Sequence, residues 1–125
     1  MQKIQYNYSY ITSYAWALYR RYSYTWADSM ALSWKIYKRK LLKFLLRNRG
    51  KVAFQFVKKS TGKVRFAIGS TNEGILIDNN ALSKNPLYEV PNTGIEGLQN
   101  YYDHTVGAWR RFDWETFDKI LYIAE

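Results

Sequence analysis

The chain has 125 residues, of which 47% are hydrophobic and 18% aromatic, with twelve tyrosines and five tryptophans; that composition excludes a disordered chain and allows one modest core. It has no cysteine, which excludes disulfides and thiolate metal sites, and one histidine, which excludes an imidazole cluster. The net charge of +9 is uneven: residues 1–51 hold eleven basic residues and one acid (+10), and residues 52–125 hold eight basic and nine acidic residues (−1). A basic module attached to a near-neutral one is the simplest reading.

In chain order, "ITSYAWALYRRY" places Ile11, Ala15, Leu18, Tyr19 and Tyr22 at helical spacing, with Thr12 or Ser13 as the expected N-cap. "TWAD", residues 25–28, resembles a capping box with Asp in place of Glu and predicts the start of a second helix. Its expected apolar stripe is Ala27, Met30, Trp34, Tyr37, Leu41 and then Phe44 or Leu45, and Gly50 is its expected stop. After Gly50 the period changes from 3.6 to 2. "VAFQFVKK" sets Val52, Phe54 and Phe56 against Ala53, Gln55 and Val57, and "KVRFAIGS" sets Val64, Phe66 and Ile68 against Arg65 and Ala67. With "STG" between them these predict a β-hairpin. Residues 71–98 are rich in turn signals and predict a long decorated loop with room for one edge strand. "LQNYYD", a turn at "HTVG", and "AWRRFD" predict a second hairpin; "WETF" predicts one helical turn, and "KILYIA" a closing strand. The expected fold is α+β: a basic helical hairpin over residues 1–50 and a small SH3-like antiparallel β-barrel over residues 51–125.

The second helix carries the charge. Residues 33–51 contain eight lysines and arginines and no acid, and Lys35, Arg39, Lys43 and Arg47 step by four, with Lys38 at the edge of their stripe. An ordinary solvated face mixes signs, and like charges at i, i+4 destabilise a helix by a few tenths of a kcal/mol each. An anionic partner that compensates this repulsion is therefore expected. Arg20, Arg21, Arg49 and Lys51 would widen the patch, and Trp109, beside Arg110 and Arg111, offers a ring on which a base can stack. Trp16, Trp26 and Trp34 fit the hairpin's apolar side and are expected in the core.

"VRFAIGSTN" and "YYDHTVGAWRRFDWETFDKI" together resemble the small SH3-like β-barrel proteins common in Bacteroides genomes and their crAss-like phages. The matching positions are Arg65, Ala67, Gly69 and Thr71, then Tyr102, Asp103, Gly107, Trp109, Arg110 and Phe112. The likeness covers about residues 52–123; Ser70 is an extra residue before Thr71, and Trp114 and Glu115 depart from the usual turn. The leading "AWALYRRYSYTWADSMALSWKIYK" is similar to a short helical pair of mobile-element proteins. The resemblance implies the barrel and a phage or mobile-element setting, and no catalytic residue.

No nucleotide-binding glycine fingerprint is present. His104 lies in a predicted turn, and Asp103, Asp113, Glu115 and Asp118 flank turns, where acids cap and solvate. The expected protein is therefore not an enzyme and uses no cofactor or metal. It is expected to bind RNA or single-stranded DNA, or, as the competing reading, to inhibit a host defence nuclease or its ribonucleoprotein in the manner of an anti-CRISPR protein; an anionic membrane surface ranks third as a partner of the basic helix, whose apolar stripe is needed for packing. No stretch reaches the roughly 18 apolar residues of a membrane span, and the start of the chain has no apolar run of a signal peptide, so the cytoplasm is the expected compartment.

Overall fold

The computed structural model describes residues 3–78 and 97–124. The fold is α+β. Two helices, α1 (Tyr8–Arg21) and α2 (Trp26–Asn48), precede the strands β1 (Val52–Val57), β2 (Val64–Ser70), β3 (Leu98–Asp103), β4 (Ala108–Asp113) and β5 (Phe117–Ile123). A short helix, α3 (Glu73–Asp78), follows β2, and a 3-10 turn at Trp114–Thr116 joins β4 to β5. The long loop expected near residues 71–98 thus begins with a helix, and residues 79–96 lie outside the described residues. The chain divides into two compact units, a helical one at Gln5–Leu41 and a sheet unit from Leu42 onward, so the division falls inside α2. No described helix is long and apolar enough to cross a membrane.

In the helical unit α1 starts one turn earlier than the apolar period indicates. Asn7 is its cap: Oδ1 accepts from the Tyr10 N–H at 3.0 Å, and the Asn7 N–H donates to the Tyr37 hydroxyl at 2.9 Å. Thr25 caps α2 as expected, its Oγ1 accepting from the Asp28 N–H at 3.1 Å. The buried stripe differs from the expected one. Ile11, Ala15 and Leu18 of α1 are buried, and on α2 the buried positions of this unit are Ser29 and Ser33, while Met30, Trp34, Tyr37 and Leu41 are half-buried and Ala27 is exposed. The Ser33 hydroxyl links the two helices, donating to the Ile11 carbonyl at 2.6 Å. Two helices offer too little surface to enclose the large rings. These cluster on one another at the flanks, with Tyr6 and Tyr8 edge-on to Trp34 and Trp16 4.5 Å from Trp26.

In the sheet unit the strand order is β4-β3-β2-β1-β5, antiparallel throughout. β4 and β5 are its edges, and among the described residues no ladder joins them into a closed barrel. Both hairpins form at the expected residues, and their turns use glycine in the left-handed region: Gly62 at φ 69° and Gly107 at φ 67°. α2 ends at Asn48, two residues before Gly50, which has no positive φ.

The inner face of β2 is the opposite of the apolar one. Phe54 pairs with Ala67 and Val52 with Gly69, so Ala67 and Gly69 face the core, while Val64 and Phe66 are 60% and 49% exposed. The core rings Phe54, Phe56, Tyr101, Phe112 and Trp114 occupy the space that larger β2 side chains would need. They form a chain of contacts: Phe54 meets Tyr101 at 5.1 Å and Phe112 at 5.2 Å, and Phe112 meets Trp114 at 4.8 Å. Leu42, Leu45 and Leu46 from the end of α2 complete the buried set with Leu76, Ile120 and Ile123.

Candidate functional site

The expected binding residues fall into two groups, one in each unit. In the helical unit Arg20 and Arg21 form the last turn of α1, where cations suit the helix dipole. Each lies over a ring: Arg20 is 5.6 Å from the Trp16 centroid and Arg21 5.7 Å from Tyr22. Lys40, absent from the expected set, repeats the arrangement 5.9 Å from Tyr14. Lys35 is exposed and Lys38 and Arg39 half-exposed on α2; Lys35 and Arg39 make no ion pair among the described residues.

Trp16 and Trp26 were expected inside. They are instead 44% and 38% exposed, and Tyr8, Tyr10, Tyr19, Tyr22 and Tyr24 are exposed with them. The reason is that two helices alone offer too little surface to enclose such large rings.

In the sheet unit the expected residues are more dispersed. Lys43 lies 5.2 Å over Trp114, the Arg47 carbonyl accepts from Asn72, and the side chains of Arg47 and Arg49 are exposed. Lys51 is half-buried, and its carbonyl accepts from Ala124. Trp109 and Arg110 are neighbours in β4 and therefore point to opposite faces. Trp109 stacks on Tyr102 at 5.8 Å, whereas Arg110 pairs with Tyr101 across the strands.

That second face holds the most organised cationic feature of the sheet. β2 and β3 pair only at Gly69↔Asp103 and Ser70↔Tyr102, while the neighbouring pairs run the full length of their strands. Where β2 parts from β3 a cleft of about 200 Å³ opens. Phe56 opposite Arg65, and Tyr101 opposite Arg110, project into this side. Lys58, Phe66, Asp103 and Arg111 add to its lining. Among the described residues none of the four cations forms an ion pair. Asp103 is buried and already accepts from the Thr105 N–H at 2.9 Å and its hydroxyl at 2.6 Å.

Burial pushes the Tyr101 hydroxyl up to about 12, the Asp103 charge acts in the same direction, and Arg110 and Arg65 oppose them. The group is therefore a neutral hydroxyl at physiological pH. Arg65 and Lys58 were missed as site residues. The register Phe56↔Arg65, which no local pattern reveals, is what brings Arg65 to Arg110.

The remaining acids hold the fold. Asp113 caps the 3-10 turn, accepting from the Glu115 N–H at 2.8 Å, and with Glu115 it binds Lys59 at 2.9 and 3.0 Å. Hydrogen bonds from Lys59 to Asp113, and then to Glu115, raise the pKa of that ammonium. Asp118 accepts from Gln55 at 2.6 Å, and His104 is half-buried against Tyr102 at 5.0 Å. Comparison with protein families, with curated proteins and with solved structures finds no match to this chain.

Proposed function

We propose that this protein binds single-stranded nucleic acid, RNA or DNA, without catalysing a reaction, and that the helical unit makes the main contact. The observation that carries this reading is the pairing of rings with cations: exposed Trp16 with Arg20, exposed Tyr22 with Arg21, and half-buried Tyr14 with exposed Lys40. An exposed ring offers a stacking surface to any base, worth about 1–3 kcal/mol per base. A guanidinium beside it reaches the adjoining phosphate, and Lys35, Lys38 and Arg39 add charge along α2. Residues 5–41 hold six basic residues and one acid, Asp28, so little within the unit competes with phosphate for these cations.

The sheet is read as an SH3-like barrel; its support is the strand order β4-β3-β2-β1-β5 and the 3-10 turn before the last strand. The phage or mobile-element setting, with action in the host cytoplasm, rests on the sequence likeness of residues 52–123 and of the helical pair.

The test is binding of labelled RNA and DNA oligonucleotides by the full chain across a salt series. Affinity should fall steeply with salt, with a slope of about −0.7 per phosphate neutralised. Trp16→Ala should weaken binding about 5- to 100-fold with its salt slope kept. Arg20→Gln should flatten the slope by about 0.7. Absence of binding at low salt would overturn the reading and favour a protein target, an inhibitor of a host nuclease or its ribonucleoprotein.

A further inference from the structure

We infer that the cleft between β2 and β3 is a binding site for the phosphate group of a single nucleotide, with the base lying against Phe66. All of its residues belong to the sheet unit, and the inference does not depend on the helical surface. Four cations, Lys58, Arg65, Arg110 and Arg111, border a space of about 200 Å³ that holds one carboxylate, Asp103, whose Oδ1 accepts both Thr105 donors. Like charges gathered with no ion-pair partner among the described residues repel one another, and an anion of matching charge removes that repulsion.

A phosphate monoester fits better than a lone carboxylate. It carries up to two charges and three terminal oxygens, which several guanidinium forks can share. Tyr101 lines the cleft from β3, the strand that lies between those carrying Arg65 and Arg110. The lining also includes an exposed ring. Phe66 lines the cleft and is 49% exposed, so a large ring stands in water beside these cations. Planar bases stack on such rings. Among the described residues the short β2–β3 ladder also leaves the β2 backbone near Arg65 and Phe66 without strand pairing on that side, which gives the ligand access between strands.

The phosphate has two possible sources, a free mononucleotide and the 5′ end of a strand. Calorimetric titration of the full chain with adenosine 5′-monophosphate, ribose 5-phosphate, adenosine, and a short oligonucleotide with and without a 5′-phosphate separates them. Adenosine 5′-monophosphate should bind and adenosine should not. Arg65→Gln and Arg110→Gln, both at exposed side chains, should each weaken binding about tenfold or more, and Phe66→Ala should reduce the preference over ribose 5-phosphate. Trp16→Ala and Arg20→Gln should leave it unchanged, which keeps this test separate from that of the helical surface. If only the 5′-phosphorylated strand binds tightly, the source is a strand end; if the mononucleotide binds as tightly, the source is free nucleotide; both outcomes support the site. Equal binding of adenosine and its monophosphate, binding indifferent to Arg65→Gln and Arg110→Gln, or a poly-glutamate peptide binding where the monophosphate does not, overturns it. Equal binding of ribose 5-phosphate removes the base from the assignment.

Discussion

At position 69 the core leaves room for a hydrogen and nothing more. A Cβ there would lie 2.8 Å from Tyr101 Cδ2 and 3.0 Å from Phe54 Cε1, and both rings are buried on every side. Gly69 was singled out in the sequence only by its place in a motif; its physical reason is the meeting of two rings above β2. Gly69→Ala should therefore destabilise the protein by about 1–3 kcal/mol, read as a lower urea midpoint with an unchanged m-value. An unchanged midpoint would mean that the rings move aside freely. The same scale accounts for Ser29 and Ser33. One hydroxyl is satisfied by the Ile11 carbonyl, and the other is buried with no partner among the described residues, at a desolvation cost of order 1 kcal/mol. Hydropathy marks both as polar, so only their burial in the fold reveals them as core.

Among the elements, the end of α2 and the start of α3 depend on one side chain. Asn72 Nδ2 donates to the Arg47 carbonyl at 3.0 Å, satisfying one of the acceptors that a helix end leaves open. Its Oδ1 accepts from the Ile75 N–H at 3.2 Å and caps α3. Asn72→Ala removes both and should cost about 1–2 kcal/mol in thermal or chemical unfolding. Asn72→Asp keeps the cap and loses the donor, so its loss should be smaller; equal losses would assign the whole effect to the Arg47 carbonyl. Elements were legible where the signal is local. The second hairpin, the 3-10 turn and the closing strand lie where turn residues and alternation put them, because Gly107 and the Asp113 cap act over two or three residues. α1 was misjudged at its start because its cap is reinforced by Tyr37, a residue on another helix.

For the whole molecule, alkaline pH is the informative stress. Tyr101 is raised from 10.0 to about 12 in the fold, so the fold favours its neutral form. That contribution is complete below pH 10 and is lost as pH rises from 10 toward 12. Tyr6, raised mainly by burial, and Lys59, raised by its two carboxylates, act in the same direction at high pH. Stability measured by urea unfolding should fall across this window, and Tyr101→Phe should fall less steeply than the unaltered chain. Parallel pH profiles for the two proteins would show that the hydroxyl is equally buried before and after unfolding. Net charge is the other property of this scale. The +10 of residues 1–51 is a matter of composition, and no folding event changes it.

By itself the sequence determined the α+β class, the strand positions, the turns and the territory of positive charge, since each follows from period, turn chemistry or composition within a few residues. Only the tertiary structure decided which side of β2 faces inward, because that strand has apolar residues on both sides and the choice rests with Phe54 and Tyr101, which need the space above Ala67 and Gly69. It also decided that Trp16 and Trp26 stand in water, since two helices alone offer too little surface to enclose such large rings. And it joined Arg65 to Arg110 at one cleft, because register between strands distant in the chain is set by packing and not by any neighbour in the sequence.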